Sequence, residues 1–242
     1  MTSSQMPHTA MVFAAGLGTR MRPITETLPK PLIKIGGKAL LDHCLDRFVD
    51  AGVRRAIVNV HYLPDMIVDH LRGRQTPEIV ISDERSLLLD QGGGIRKVLA
   101  EIGPQPFFVC NTDAFWIEGP VQNLARMAEN WNSEIMDMLL LVASTPLSVG
   151  VDWPGDFMME KDGRLIKRPE QEVAPFVYSG IGILKPELFM HETRSVFGLS
   201  PLLFEAARKG RLYGQRLDGL WLHVGKPETI AQAEDAIRRS AL

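Results

Sequence analysis

The chain has 242 residues, of which 45% are hydrophobic and 23% are charged, and its formal net charge is −2. This composition is typical of a globular protein with a full core, and the near-zero charge excludes the broad basic surface by which many proteins bind nucleic acid. Because the apolar runs are too short to cross a bilayer and two cysteines are too few for a disulfide framework, we expect a cytoplasmic protein with no membrane partner.

The first half of the chain alternates predicted strands and helices. After nine polar residues that we expect to be disordered, Ala10–Ala15 is a continuous apolar run, typical of a strand buried on both faces. Further strands are predicted at 55–60, 78–82, 107–111 and 137–143, and helices at 41–49, 64–71, 95–102 and 121–131. This alternation predicts an α/β fold, with a mixed, mostly parallel sheet and helices on both of its faces.

The pattern changes after Ser144. A hairpin is predicted around Lys161-Asp162-Gly163, and the segments that follow no longer alternate regularly. Strands are predicted at 176–184, 212–217 and 220–224, and helices at 200–209 and 230–237. We therefore expect one domain over residues 1–242, with a first lobe at about 10–143 and an α+β lobe at about 144–242.

A loop of small residues follows the first predicted strand. Residues 14–20 read Ala-Ala-Gly-Leu-Gly-Thr-Arg, and small residues let backbone N–H groups approach phosphate oxygens. Arg20 suits bidentate binding of phosphate, and Lys30 stands between Pro29 and Pro31, which restrict its backbone. A solvated turn is the alternative for the loop alone, but the combination predicts a phosphate-binding loop that holds a nucleotide against Ala15, Gly16, Leu17 and Gly18.

Two further segments fall at the carboxyl ends of predicted strands, where open α/β sheets bind ligands. Asp113 follows the strand at 107–111 and is a candidate Mg²⁺ ligand, with a helix N-cap as the alternative. Asn111 faces the same way and suits a hydrogen bond to ribose or phosphate. The run Gly92-Gly93-Gly94 precedes a predicted helix and suits closure over a base or N–H contacts to an anion, with a flexible loop as the alternative.

Together these motifs resemble those of the sugar-1-phosphate nucleotidyltransferases. The matching segments are, in chain order, A-A-G-L-G-T-R-M-R-P, P-K-P-L, L-D-Q-G-G-G-I, N-T-D, G-D-F and Y-S-G-I-G-I-L-K-P-E-L-F. Within the family, the third and fifth segments are most similar to the bacterial uridylyltransferases that act on N-acetylmuramate 1-phosphate in peptidoglycan recycling. Mannose-1-phosphate guanylyltransferases and glucose-1-phosphate thymidylyltransferases share the first motif and are the alternatives.

The resemblance implies a Rossmann-like nucleotidyltransferase core with a nucleotide-binding first lobe and a sugar-binding second lobe. The expected reaction transfers a nucleotidyl group from an NTP, here UTP, to a sugar 1-phosphate, here N-acetylmuramate 1-phosphate, and releases pyrophosphate. The expected cofactor is Mg²⁺, and the expected partners are these two substrates. The protein is expected to be a monomer or a homodimer.

The resemblance also implies a role for each candidate residue. Arg20, Lys30 and Asp113 are the expected catalytic residues, with Arg20 and Lys30 on the phosphates and Asp113 on the metal. Besides the first loop and Asn111, the nucleotide is assigned to Gln91, Gly92 and Gly93, and the sugar to Asp156, Ser179 and Gly180.

One position departs from the family pattern. The family places an aspartate after a tryptophan and a spacer residue, whereas this chain reads Trp221-Leu222-His223-Val224-Gly225. Imidazole is a poor Mg²⁺ ligand and suits Mn²⁺ or Co²⁺ better. We expect His223 to bind metal with a changed preference, to leave the metal to Asp113 and phosphates, or to weaken catalysis. A regulatory protein that binds nucleotide sugars is the corresponding alternative function.

Overall fold

The structure is a computed structural model that describes residues 6–240. Its strands are β1 Thr9–Phe13, β2 Lys34–Ile35, β3 Lys38–Ala39, β4 Arg55–Val60, β5 Glu78–Asp83, β6 Phe107–Asn111, β7 Ala114–Glu118, β8 Met138–Ser144, β9 Phe157–Met159, β10 Leu165–Lys167, β11 Phe176–Leu184, β12 Leu212–Arg216 and β13 Gly219–His223. Its α-helices are α1 Leu40–Asp50, α2 Pro64–Leu71, α3 Asp90–Lys97, α4 Leu99–Ile102, α5 Asn123–Asn130, α6 Glu187–Met190, α7 Ser200–Arg208 and α8 Pro227–Ser240. Among the helices of the described residues, none has the length and apolarity that a membrane span requires.

Nine of the strands form one mixed sheet. Strands β5, β4, β1 and β6 lie side by side in this order and are parallel. Strand β11 then pairs antiparallel with both β6 and β8, and β12 pairs parallel with β8. The β9–β10 hairpin joins the sheet through Phe157 and Phe176. The prediction of an α/β fold with a mostly parallel sheet is confirmed.

Strand β11 connects the two predicted lobes. It lies on the carboxyl side of the boundary expected near residue 143, yet its two main neighbours, β6 and β8, come from the amino side. Most of its residues are buried, which agrees with a central strand whose two faces are both covered. The second lobe therefore extends the sheet of the first.

The core consists of a layer on each face of this sheet. Along β1, Ala10 and Val12 pack on one face with Phe48 of α1, while Met11 packs on the other face with Phe189 of α6. Successive side chains of a strand point to opposite faces, and here both faces are covered by helices. This explains why the parallel strands are continuous apolar runs.

Strand β7 is absent from the sequence prediction and builds a second, two-stranded sheet. It pairs antiparallel with β13, with Ala114 opposite His223. Its apolar residue Phe115 packs with Leu222 and with Ala233 of α8. The pairing matters for function, because it places the start of β7 beside the end of β13.

The amino-terminal expectations need correction at two points. The first strand ends at Phe13, because the Ala14 N–H leaves the strand ladder and donates to the Asn59 side chain at 2.7 Å. Of the nine residues expected to be disordered, 1–5 lie outside the described residues. His8 and Thr9, the last two of the nine, are ordered, since the His8 carbonyl accepts two backbone hydrogen bonds and Thr9 begins β1.

Candidate active site

A cavity of about 550 Å³ opens at the carboxyl ends of the parallel strands. It is lined by the loop after β1, by the start of α3 and by the residues that follow β6. The predicted site residues on its wall are Ala15, Gly16, Gly18, Arg20, Lys30, Gln91, Asn111 and Asp113. The structure therefore brings together most of the predicted nucleotide site from segments far apart in the sequence.

The loop after β1 is held in shape by Gly18. Its φ of +63° is left-handed, a conformation that glycine adopts without steric cost. Its carbonyl accepts hydrogen bonds from the Met21 N–H (2.9 Å) and the Thr25 hydroxyl (2.8 Å). Leu17, by contrast, lies outside the cavity wall with a 44% exposed side chain.

A buried pair that the sequence analysis did not identify fixes the start of this loop. The Asn59 side-chain oxygen accepts the Ala14 N–H, and its amide donates to Glu84 Oε1 at 2.9 Å. Glu84 Oε2 accepts the Leu89 N–H at 3.2 Å, just before α3. Both side chains are almost completely buried. The signal for Asn59 was one polar residue in the apolar strand β4, and nothing local distinguished Glu84.

Lys30 and Asp113 form an ion pair across the cavity, with Nζ 3.3 Å from Oδ2. Lys30 begins a single turn of 3₁₀ helix between Pro29 and Pro31, which holds its side chain toward the cavity. Burial lowers the pKa of Lys30, and the charge of Arg20 lowers it further, while Asp113 opposes both effects. Two cations and one carboxylate thus meet where phosphates are expected.

The β7–β13 pairing sets Asp113 next to His223. The Val224 N–H donates to the Asp113 carbonyl at 2.8 Å, and His223 Nε2 lies 3.7 Å from Asp113 Oδ2. Burial alone would raise the pKa of Asp113, but the interactions with His223 and Lys30 outweigh it and hold the pKa well below its ordinary range. Asp113 is therefore a carboxylate at neutral pH.

Aromatic rings fix the orientation of His223. Its imidazole stacks on Trp221 with ring centroids 5.7 Å apart, and the edge of Trp153 lies against it at 5.2 Å. Nδ1 lies 3.3 Å from the Gly150 carbonyl, and an N–H donated there would free the Nε2 lone pair for a metal in place of the Nε2–H that otherwise faces Asp113. This tautomer is the one that metal-binding histidines adopt. Within residues 6–240, no group of three or more His, Cys, Asp or Glu side chains is arranged to hold a metal.

Two smaller cavities continue the first toward the second lobe. One of about 240 Å³, the middle cavity, shares Arg20, Asn111 and Asp113 with the first, which we call the nucleotide cavity after the site predicted on its wall. The next, of about 310 Å³, shares Trp153 and Tyr178 with the middle one. The three cavities form one cleft that runs from the first loop to the β9–β10 hairpin, and we call the last of them the distal cavity.

The predicted sugar residues lie along this cleft, but not all of them present side chains to it. Asp156 lines the distal cavity, and its carboxylate accepts the Tyr178 N–H (2.8 Å) and the Trp153 indole N–H (3.2 Å). Burial raises the pKa of Asp156. The Ser179 hydroxyl donates to the Leu141 carbonyl at 2.7 Å, so its proton is not available to a sugar.

Gly180 has a steric role at the junction of the cavities. It lies at a bulge of β11, with φ +86°. A Cβ atom there would stand 2.8 Å from Cβ of Asn111. Glycine therefore lets β11 pass close to the end of β6, as bulges beside active sites often require.

The run Gly92-Gly93-Gly94 does not lie over the cavity as predicted for a segment that contacts a base or an anion. Gly92 and Gly93 lie inside α3, and they pack against residues 195–197 instead of lining the cavity. A Cβ on Gly92 would stand 2.2 Å from the Phe197 ring, and one on Gly93 2.2 Å from the Ser195 carbonyl oxygen. Gln91 does face the cavity, where its amide donates to Asn111 Oδ1 at 2.7 Å. The glycines hold α3 close to its neighbour and so position Gln91.

Comparison with known proteins agrees with this geometry. The chain matches the family model described as nucleotidyl transferase over residues 9–240. It is 46% identical to the N-acetylmuramate alpha-1-phosphate uridylyltransferase of Caulobacter vibrioides, over 96% of this chain and 97% of the relative. It is 35% identical to the protein of the same name in Neisseria meningitidis, over 94% and 96% of the two chains.

Solved structures share the fold at lower identity. HddC of Yersinia pseudotuberculosis, complexed with GMP-PN, aligns with a TM-score of 0.75 at 20% identity, over 95% of this chain and 99% of HddC. A putative glucose-1-phosphate thymidylyltransferase from Bacillus anthracis aligns with a TM-score of 0.79 at 15% identity, over 95% of each chain. With a family match over nearly its whole length and relatives of almost equal extent, the chain belongs to the nucleotidyl transferase family.

Proposed function

We propose that this protein transfers a uridylyl group from UTP to N-acetylmuramate 1-phosphate, forming UDP-N-acetylmuramate and pyrophosphate. The observation that carries the proposal is the 46% identity, over almost the full length of both chains, to a protein of that name. The cleft supports it, because Arg20, Lys30 and Asp113 lie together where a triphosphate and a sugar phosphate would meet.

The reaction needs no general base. An oxygen of the sugar phosphate attacks the α-phosphorus of UTP, and the bond from this phosphorus to the bridging oxygen breaks as pyrophosphate leaves. The second pKa of a phosphate monoester is about 6, so the nucleophile is already ionised at neutral pH. Catalysis therefore depends on positioning and on stabilising negative charge.

Arg20 and Lys30 supply that stabilisation in the proposed mechanism. Arg20 lines both the nucleotide cavity and the middle cavity, so its guanidinium can bridge the two phosphate groups. Lys30 is held against Asp113 by its rigid turn and by the ion pair, and it contacts the reacting phosphates. Asn111 and Gln91, joined by a hydrogen bond, present polar groups to ribose and base.

We propose that Mg²⁺ binds at Asp113, with most of its remaining ligands from the substrate phosphates. The fit is reasonable, because Mg²⁺ commonly uses one or two carboxylates plus phosphate oxygens, and Asp113 is ionised and faces the cleft. When bound, the ion adds positive charge at the phosphate oxygens. The Nε2 atom of His223 offers a nitrogen ligand that would favour Mn²⁺ or Co²⁺.

A metal titration of the wild type and of His223→Asp tests this role. We expect the variant to shift the preference from Mn²⁺ or Co²⁺ toward Mg²⁺, both in turnover and in Mn²⁺ binding measured by electron paramagnetic resonance with UTP present. Identical metal profiles for the two proteins would remove His223 from the metal site.

The reaction itself is tested by incubating the purified protein with each NTP and a panel of sugar 1-phosphates and measuring pyrophosphate. We expect the highest kcat/KM with UTP and N-acetylmuramate 1-phosphate. A preference for GTP with mannose 1-phosphate, or for dTTP with glucose 1-phosphate, would move the protein to those branches of the family. No turnover with any pair under Mg²⁺ or Mn²⁺ would refute the proposal.

His223 also motivates a second candidate, a regulatory protein that binds nucleotide sugars without turnover. This second candidate would replace the enzyme if calorimetry shows UDP-sugar binding while neither wild type nor His223→Asp releases pyrophosphate.

We further propose that the enzyme, with UTP as its donor substrate, acts in the cytoplasm in peptidoglycan recycling, as a monomer or homodimer.

A further inference from the structure

The β9–β10 hairpin directs a lysine into the distal cavity. Side chains alternate along a strand, so Lys167 shares a face of β10 with Leu165, which is 1% exposed and part of the core. In the antiparallel register Lys167 lies opposite Phe157, which is also buried. Lys167 itself is exposed and lines the wall of the distal cavity, so its ammonium is open to a ligand that enters the cavity.

The Lys167 ammonium lies on an aromatic ring and has no ion-pair partner among residues 6–240. The Lys167 ammonium lies 4.4 Å from the centroid of the Phe204 ring. Arg164 of the same hairpin pairs with Glu160 and Asp162, whereas Lys167 forms no ion pair in the part of the chain that the structure describes. A cation on an aromatic face keeps its charge available to a ligand.

The remaining charged groups of the distal cavity leave it positive. Asp156 is its one carboxylate within the described residues, and both of its oxygens already accept hydrogen bonds. Arg168 also lines the cavity and donates to the carbonyls of Gly155 (3.0 Å) and Glu172 (2.9 Å). The cavity therefore holds two cations and one carboxylate, and each oxygen of that carboxylate already accepts one N–H.

The distal cavity joins the reaction cleft through Trp153 and Tyr178. A sugar whose phosphate lies beside Lys30 would extend past these rings toward the hairpin. We propose that Lys167 binds a carboxylate carried by the sugar, and that the protein selects sugar 1-phosphates with an acidic substituent. Under the proposed function, on which this inference rests, that group is the lactyl ether carboxylate on O3 of N-acetylmuramate.

The test compares two sugars that differ only in this group. N-acetylglucosamine 1-phosphate has the same ring and phosphate but lacks the lactyl ether. We expect Lys167→Met, which keeps an apolar stem against Phe204, to raise KM for N-acetylmuramate 1-phosphate about tenfold. The kcat for N-acetylmuramate 1-phosphate and the KM for the neutral sugar phosphate should not change. If the neutral sugar phosphate is not turned over, its inhibition constant as a competitor is measured instead of its KM.

Two variants control for charge and for structure. Lys167→Arg should retain most of the preference for the acidic sugar, because it keeps a cation at the same place. Lys161→Met removes an exposed lysine from the turn of the same hairpin, outside the cavity, and should leave KM for both sugar phosphates unchanged.

The outcomes separate this inference from the proposed function. If the wild type uses N-acetylmuramate 1-phosphate but Lys167→Met changes KM for both sugar phosphates equally, or for neither, the role of Lys167 is refuted and the proposed function stands. If the wild type prefers neutral sugar phosphates, the proposed substrate and the carboxylate site are both refuted.

Discussion

The ion pair between Lys30 and Asp113 joins two loops that are 83 positions apart in the sequence. In the proposed mechanism Lys30→Ala removes a cation that contacts the reacting phosphates, and we expect kcat to fall about 10²–10³-fold, the usual cost of one lost transition-state contact. Circular dichroism should show an intact fold. Lys34→Ala, at an exposed lysine outside the cleft, is the matched control and should retain full activity. Wild-type activity in Lys30→Ala would exclude Lys30 from the mechanism.

Asn59 acts at the residue scale through backbone positioning. Asn59→Leu removes the acceptor of the Ala14 N–H and the donor to buried Glu84. We expect the free energy of unfolding to fall by about 1–3 kcal/mol, because buried polar groups lose their partners. KM for UTP should rise as the loop loses its anchor. Urea denaturation and UTP titration measure the two effects.

A second substitution separates the two hydrogen bonds of Asn59. Asn59→Asp keeps an acceptor for Ala14 but places a second carboxylate beside Glu84. It should destabilise the protein more at pH 8 than at pH 5, where protonation relieves the repulsion. Equal stability of Asn59→Asp and wild type at pH 8 would show that Glu84 is not held by this contact.

At the scale of single elements, the glycine run shows where a sequence pattern misleads. Three consecutive glycines favour a loop by propensity, yet Gly92 lies in α3 because only glycine fits against Phe197. Tertiary packing here overrides local preference, and no neighbouring residue signals the distant partner.

Gly92→Ala tests that packing role. The methyl group would overlap the Phe197 ring, so we expect the free energy of unfolding to fall by about 1–3 kcal/mol despite the better helix propensity of alanine. Gly73→Ala is the control, since its Cβ meets no atom within 4 Å and its φ is not left-handed. Thermal unfolding that is unchanged in Gly92→Ala would show that α3 is free to move away.

Helix α1 and strand β7 meet through His43, which gives their contact a pH dependence. The imidazole stacks on Phe115 with ring centroids 4.4 Å apart, and Nε2 donates to the Ile35 carbonyl at 2.9 Å. Burial lowers the pKa of His43 below its ordinary 6.5, and the charges of Lys38 and Arg47 lower it further. The unfolded chain therefore binds a proton more readily than the folded protein does.

This difference predicts a loss of stability in acid. The free energy of unfolding contributed by His43 is fully present above pH 6.5 and decreases as the pH falls through 6.5 toward the folded pKa. His43→Gln should make the stability curve flatter between pH 7.5 and 5 than that of the wild type. Urea denaturation at several pH values measures the slopes, and parallel curves would contradict the prediction.

At the scale of the whole molecule, the sequence predicted the parallel half of the sheet, since its strands are unbroken apolar runs followed by polar residues. The sequence motifs were also sufficient to predict that Arg20, Lys30 and Asp113 share one cleft. Strand β7 was not predicted, because its apolar run is short and its pairing with β13, which is distant in the sequence, leaves no local signal. The neighbours of β11 in the sheet were not predicted either, since its pairing with β6 and β8 across the predicted lobe boundary depends on contacts distant in sequence.

The nucleotide cavity draws its wall from residues as distant as Phe13 and Val196, so UTP should stabilise the whole fold and not one segment of it. With Mg²⁺ and UTP at about 100 times its Kd, linkage predicts about 2.7 kcal/mol of stabilisation. For a chain of this size, that corresponds to a rise in Tm of about 5–10 °C. Differential scanning calorimetry should show the rise in the wild type and in Lys34→Ala, and a much smaller one in Lys30→Ala. An equal rise with ATP, GTP and UTP would show that the cavity binds the triphosphate without selecting the base.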